Sequence, residues 1–271
     1  MGLRIIYGKA GSGKSSFCFS EISKLLDKQE NILIITPEQF SFTAEKKLMQ
    51  VTPNNAVINA EVITLSRMAY RVMQEVGNRE ISNLSVDMPK NLEEPERLTK
   101  AGKAMLVQSI IEKNKDKLKF LGKSTENVDL SIQAITEFKK HKITTDLIND
   151  KLENMQNEYL KTKLNDMKII YESFQNQING KYLDDTDLLT YLEQNIEKSE
   201  IAKDAVIYID EFMGFTKQEY GVLAKLIKLA KQVTITLCID TLKPSSNPVA
   251  DIFYSNKQTL SKLLNLLEEN D

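Results

Sequence analysis

The chain has 271 residues, a formal net charge of −2 and ordinary apolar (41%) and charged (27%) fractions, enough for one large domain or two small ones around a sizeable core. No apolar run approaches the ~20 residues of a membrane span, and residues 3–7 are too short for the apolar stretch of a signal peptide, so a cytoplasmic protein is expected. A single histidine, His141, and two distant cysteines, Cys18 and Cys238, speak against zinc chemistry and a Ser-His-Asp hydrolase, and the near-neutral charge means that any DNA contact must be local.

Residues 3–7, Leu-Arg-Ile-Ile-Tyr, read as a short apolar strand. A helix is predicted over 14–26, with Phe17, Ile22 and Leu25 turned inward. Ile32, Leu33, Ile34 and Ile35 form a continuous apolar run, the pattern of a parallel strand covered on both faces, and Pro37 ends its ladder. A helix over 43–50, a strand over 56–63 and a helix over 66–76 follow. Residues 78–95 are polar, are broken by Pro89 and Pro95, and read as a linker. From 96 to 200 the pattern is helical with almost no strand signal. Ala104, Leu106, Val107, Ile110 and Ile111 form one apolar stripe. Leu130, Ile132, Ile135 and Phe138 form a second, and Leu160, Leu164, Met167, Ile170, Tyr171 and Phe174 a third, all expected in a bundle core. Strand chemistry returns over 205–209 and ends in Asp210 and Glu211. Thr216 and Glu219 then stand at capping-box spacing ahead of a helix bearing Tyr220, Leu223, Ala224 and Ile227. Residues 233–237 are the last strand and 255–271 a leucine-bearing helix. The expected fold is α/β: a parallel-sheet domain made of 1–77 and 201–271, split by a helical insertion over 78–200.

Gly8-Lys9-Ala10-Gly11-Ser12-Gly13-Lys14-Ser15 fits the P-loop pattern of nucleoside-triphosphate-binding proteins. Glycines let successive N–H groups turn toward one anion, and the helix opening near Lys14 adds its positive end. Lys14 is expected to reach the β- and γ-phosphates of ATP and Ser15 to take one Mg²⁺ position, with Ser16 beside them. A merely flexible turn would not require Lys-Ser at its end, an apolar strand before it and an amphipathic helix after it. Asp210, at the end of an apolar strand, is the expected second Mg²⁺ group, usually through water. Glu211 is the expected residue that orients or activates water, against the alternative of an acidic strand cap. These motifs leave three classes open: a DNA motor, a small-molecule P-loop kinase, and an interaction module with a structural nucleotide.

Two segments favour DNA. Thr36-Pro37-Glu38-Gln39-Phe40-Ser41-Phe42-Thr43 and Thr64-Leu65-Ser66-Arg67-Met68-Ala69-Tyr70-Arg71 each follow a strand and are expected as loops on the edge that carries the glycine loop. Both mix aromatic, amide, hydroxyl and guanidinium groups, which suits a single strand. Gln39, Ser41, Arg67 and Tyr70 are the candidate contacts, and ordinary packing is the alternative for the aromatics.

In this order Gly-Ser-Gly-Lys-Ser, Ile-Ile-Thr-Pro-Glu-Gln-Phe-Ser-Phe, Thr-Leu-Ser-Arg-Met-Ala-Tyr-Arg-Val and Tyr-Ile-Asp-Glu-Phe-Met-Gly-Phe-Thr resemble the N-terminal part of the AddB family, one of the two subunits of the bacterial AddAB helicase–nuclease, RexB in some lineages. Asp184-Asp185-Thr186-Asp187-Leu188-Leu189 also resembles the Asp-rich segment before the second nucleotide motif of UvrD-like helicases. The resemblance implies a RecA-like, superfamily 1 helicase-like domain with a helical insertion, cut from a much longer protein. It also implies ATP and Mg²⁺, DNA and the AddA helicase/nuclease subunit as partners, and recombinational repair of double-strand breaks. The nuclease domain and its iron–sulfur cluster are implied elsewhere in the full-length protein. Active superfamily 1 helicases continue Asp-Glu-x-Gln-Asp, whereas this chain has Phe212-Met213-Gly214-Phe215 after Glu211 and lacks that coupling pair.

Overall fold

A computed structural model describes residues 2–28, 30–52, 58–83, 96–123, 127–179, 181–245 and 247–268. Most of the expected linker over 78–95, with Pro89 and Pro95, lies outside the described residues. In chain order the elements are β1 (Leu3–Gly8), α1 (Lys14–Leu26), β2 (Ile32–Ile35), α2 (Glu38–Val51), β3 (Ala60–Ile63), α3 (Leu65–Asn83), β4 (Glu96–Arg97), α4 (Lys100–Asn114), α5 (Asn127–Lys140), α6 (Thr145–Glu153), α7 (Glu158–Ile178), β5 (Tyr182–Leu183), α8 (Leu188–Asn195), β6 (Val206–Ile209), α9 (Lys217–Leu229), β7 (Gln232–Cys238) and α10 (Tyr254–Glu268). They form two compact units, Met1–Ser85 with Leu189–Asp271, and Val86–Leu188.

The first unit is built on a five-stranded sheet in the order β1-β7-β6-β2-β3, with every neighbouring pair parallel. All four residues of β2 and of β6 are buried, as strands covered on both faces must be. On one face Cys18, Phe19 and Ile22 of α1 and Ala44 and Leu48 of α2 pack with Ile32, Ile34, Val206 and Tyr208. Side chains as large as Ile22 or Ile34 each contribute about 1.5–3 kcal/mol by leaving water. Phe17, expected inside, is 52% exposed. The buried row of α1 runs through residues 18, 19 and 22, so Phe17 falls on the opposite side of the helix. Arg4 on β1 holds α1 through both carboxylate oxygens of Glu21, one at 2.9 Å.

Two helices begin earlier than their periodicity predicts. α2 starts at Glu38 rather than 43, because Pro37 (φ −59°, ψ 152°) is extended and lies just ahead of the helix, and Glu38 puts a carboxylate at the positive helix end. α3 starts at Leu65, capped by the Thr64 hydroxyl, which accepts the Arg67 N–H at 3.2 Å. The expected loops after β2 and β3 are therefore mostly first helical turns. The capping box of α9 forms as its spacing predicts: Thr216 accepts from the Glu219 N–H at 3.3 Å and donates its own N–H to the Glu219 carboxylate at 2.6 Å.

The second unit is a helical cluster. Val107, Ile110 and Ile111 of α4, Ile135 of α5, and Ile170, Tyr171 and Phe174 of α7 are buried together. Leu130 and Leu160 head their stripes but are each 49% exposed: Leu160 sits in the first turn of α7, and Leu130 falls on the side of α5 away from the packed Val128, Ile132 and Ile135. The two-residue strands β4 and β5 pair in parallel, and such short strands have no readable period. Just past β5, the buried Asp184 accepts from Lys103 of α4 at 2.9 Å, from Lys139 of α5 at 3.1 Å and from Thr186 at 2.6 Å. Both ammonium groups lie over the Phe174 ring, at 5.5 and 5.1 Å. Burial pushes the Asp184 carboxyl up, but Lys139, Thr186 and Lys103 outweigh it and hold the group below the usual aspartate range. A depressed folded-state pKa stabilises above the unfolded value, so this contribution is lost as pH falls through the lowered one. Replacing Asp184 by Ala leaves the buried Lys103 without its carboxylate and Lys139 with only that of Asp187, at 2.7 Å, and is expected to cost about 3–5 kcal/mol. Amide hydrogen exchange in α4 and α5 reads this directly, and unchanged protection there would contradict it.

Candidate functional site

Because all five strands of the first unit are parallel, their C-terminal ends share one edge. The loop over 8–15 leaves β1 there. Gly11 (φ 73°) and Gly13 (φ 86°) take left-handed conformations that a side chain would strain. A Cβ on Gly8 would lie 2.5 Å from the Ser12 hydroxyl oxygen, so the loop turns back on itself too tightly for a larger residue. α1 begins at Lys14 with no side-chain cap and no acidic residue in its first turn, which leaves its positive end facing the loop. The Lys14 ammonium bridges the loop, donating to the carbonyls of Gly8 at 2.9 Å and Lys9 at 3.0 Å.

The second group of candidates arrives from β6. β7 lies between β6 and β1, so the end of β6 is about 10 Å from that of β1, two strand spacings away. Ile209 pairs with Ile235, which sets Asp210 level with Thr236 on β7. The Thr236 hydroxyl donates to the buried Asp210 carboxylate at 2.5 Å. The next residue, Glu211, turns left-handed (φ 65°) and is exposed, and its carboxylate accepts from the Ser15 hydroxyl at 3.2 Å. One 570 Å³ cleft is lined by Lys14, Ser15, Ser16, Asp210 and Glu211. Ala10, Gly11 and Gly13 line it too, so it gathers much of the glycine loop and both acidic residues.

Sequence reasoning missed several lining residues. Thr236 is one, and its signal was a hydroxyl recurring with Thr234 in an otherwise apolar strand. Phe253 and Asn256, near the start of α10, form part of the wall, and Asn256 is tied to the Cys238 carbonyl at 2.8 Å. Cys238 is only half-buried and lines the cleft. Cys18 is fully buried; burial, and after it the charge of Asp210, push its thiol up to about 12, so it stays protonated.

The candidate DNA contacts separate. Gln39 and Arg67 are exposed, on the first turns of α2 and α3. Arg67 lies 3.6 Å from Glu45, an exposed pair of the kind worth about 0–1 kcal/mol. Tyr70 is half-buried. Ser41 is buried and its hydroxyl donates to the Glu38 carbonyl at 2.9 Å. It fell on a helix rather than a loop, and it offers nothing to a strand passing over the edge.

Comparison with known proteins decides the family. The family described as "ADDB, N-terminal" matches residues 5–271. The chain belongs to the AddB family. Relatives named as the B-type subunit of an ATP-dependent helicase/deoxyribonuclease align along its whole length. The one from Clostridium botulinum (strain Loch Maree / Type A3) is 37% identical over 277 residues, and that from Clostridium kluyveri (strain NBRC 12016) 36% over 277. That from Thermoanaerobacter pseudethanolicus (strain ATCC 33223 / 39E) is 35% identical over 276 residues. The chain spans 23% of the length of these AddB relatives. The α/β fold with a parallel sheet agrees with the resemblance read from its motifs.

The Asp210 arrangement makes one direct prediction. Thr236→Val removes the donor from a buried carboxylate and is expected to destabilise the sheet unit by about 1–3 kcal/mol. Urea denaturation measures it, and a loss below about 0.5 kcal/mol would show that Asp210 has another adequate partner.

Proposed function

We propose that the unit Met1–Ser85 with Leu189–Asp271 is a RecA-like ATP–Mg²⁺-binding core, with Val86–Leu188 as its helical insertion. On this reading the chain forms the N-terminal region of the AddB subunit of a cytoplasmic helicase–nuclease. That subunit acts with AddA, the other helicase/nuclease subunit, on DNA in recombinational repair of double-strand breaks. The observation that carries the nucleotide reading is the convergence of Lys14, Ser15, Asp210 and Glu211 on one cleft. The names of the relatives support the ATP-dependent helicase and nuclease context.

The residues present fit the nucleotide. The left-handed glycines and uncapped helix end suit a polyphosphate. Lys14, now satisfied by two carbonyls, can exchange them for β- and γ-phosphate oxygens. Ser15 and Asp210 would hold Mg²⁺. Among the described residues no cluster of three or more His, Cys, Asp or Glu side chains could hold a metal, and Mg²⁺ beside a nucleotide needs only one or two carboxylates. When bound, Mg²⁺ neutralises charge on the β- and γ-phosphoryl oxygens. Thr236 keeps the Asp210 oxygen oriented, and Glu211 is exposed and near enough to position a water. In place of the coupling pair of active helicases stand Met213 and Gly214. Neither offers a polar group, so ATP binding with slow hydrolysis is expected of this stretch. An iron–sulfur cluster held by four cysteines would need more than the two in this chain, so the cluster that the resemblance implies is proposed for other parts of the full-length protein.

Single-stranded DNA is proposed to cross the same sheet edge, with Gln39, Arg67 and Tyr70 as contacts. A phosphate competes readily with Glu45 for Arg67, since the exposed pair is weak.

Two measurements test the reading. Lys14→Ala is expected to lower ATP–Mg²⁺ affinity at least about tenfold in calorimetry, the scale of a lost charge-assisted hydrogen bond. Equal affinity in the folded variant would remove the site assignment. Arg67→Ala in the full-length complex is expected to weaken DNA binding and, for a phosphate contact, to lower the salt slope by about one unit. Unaltered affinity and slope would remove the edge from the DNA path.

A further inference from the structure

The second unit carries a surface that the nucleotide reading does not use. Between the end of α4 and the following 3₁₀ turn, residues 113–119 hold Lys113, Lys115, Lys117 and Lys119 against one carboxylate, Asp116. All four lysines are exposed. Among the described residues none of them forms an ion pair, whereas Lys103, Lys139, Lys225, Lys231 and Lys257 all do. Glu112, at the border, is engaged by Gln108 at 3.2 Å.

This segment is not a loose tail. Leu118 and Leu121 are buried in the helical core. The carboxylate of Asp166 on α7, itself 0% exposed, accepts the backbone N–H groups of Lys119 at 3.2 Å, Phe120 at 2.7 Å and Leu121 at 3.0 Å. A buried charge is tolerated only when fully hydrogen-bonded, and here its three donors are Lys119, the last residue of the basic segment, and the two residues that follow it. The end of the segment is thereby fixed, and the N–H groups of Lys115, Lys117 and Leu118 continue the helix end by bonding to the carbonyls of Glu112 and Asn114. Beside them Phe120 is 38% and Tyr159 60% exposed. The rings meet edge to face at 5.2 Å, and the Lys163 ammonium lies 5.7 Å from the Phe120 ring centre. Among the described residues Lys163 also forms no ion pair.

We infer that the surface formed by Lys115, Lys117, Lys119, Lys163, Phe120 and Tyr159 is a second single-stranded DNA contact, on the helical unit. Unpaired lysines on a fixed turn match backbone phosphates, and an exposed aromatic pair gives bases a stacking face. The chain as a whole has a net charge of −2, so the cluster is a local feature and not part of a general basic surface. Ordinary solvation alone would not call for a fully buried carboxylate to hold the segment that bears it.

The test uses the whole chain and single-stranded oligo(dT), with affinity measured across a salt series. Lys115→Gln, Lys117→Gln and Lys119→Gln together are expected to weaken binding at least about tenfold and to lower the salt slope by about two units, at ~0.7 per single-strand phosphate contact. A charge-matched control with Lys24→Gln, Lys28→Gln and Lys217→Gln should change neither. Tyr159→Ala should cost about fivefold or more, and Tyr159→Phe should restore most of it. Equal behaviour of the two triple variants would overturn the inference, as would binding confined to a duplex of the same length. Arg67→Ala acts on the other unit, so loss there with no loss in the lysine variant would spare the first DNA reading and refute this one.

Discussion

A single hydrogen bond, from Thr236 on β7 to Asp210 at the end of β6, fixes how the acidic half of the cleft meets the glycine loop. A carboxylate buried without a donor would be costly. With Thr236 level beside it, Asp210 is held two strands in from the loop-bearing β1. Parallel pairing then does the rest. It sends β1, β6 and β2 out at one edge, points the positive end of α1 along that edge, and lets the left-handed Glu211 reach back to Ser15. The cleft thus depends on strand order as much as on its polar residues.

Much of this was legible from local pattern. The strand–loop–helix run over 3–26 carries its own signals: an apolar strand, glycines where backbone must turn left-handed, and apolar spacing in α1. The capping box of α9 is a two-residue code and formed as written. What misled was tertiary or very short. The periodicity that placed α2 at 43 ignored how Pro37 and Glu38 make a helix start, and so Ser41 was read as loop. Phe17 was assigned by spacing, but the phase of α1 is set by which face Ile32 and Ile34 present. β4 and β5 are too short for any period. That β7 would lie between β1 and β6, and that its threonine would serve Asp210, is a matter of strand order, which no local window contains.

The helical unit uses charge in two opposite ways. Lys103 and Lys139 are buried, and Asp184 with the Phe174 ring compensates them. In sequence Asp184 looked like part of an acidic run. Only the pairing of β4 with β5 carries it inward to the lysines of α4 and α5. Asp166, equally buried, is spent on backbone N–H groups instead, and the lysines above it are left to solvent. Sequence composition averages these two environments into one unremarkable balance.

The central claim is that the glycine loop and Asp210 form one phosphate–Mg²⁺ site. Its most direct test is ATP affinity with Mg²⁺ and with a chelator, compared between the native chain and Asp210→Asn. The account predicts matching affinities in chelator, a clear gain with Mg²⁺ in the native chain, and little or no gain in the variant. An equal Mg²⁺-dependent gain in both would contradict it.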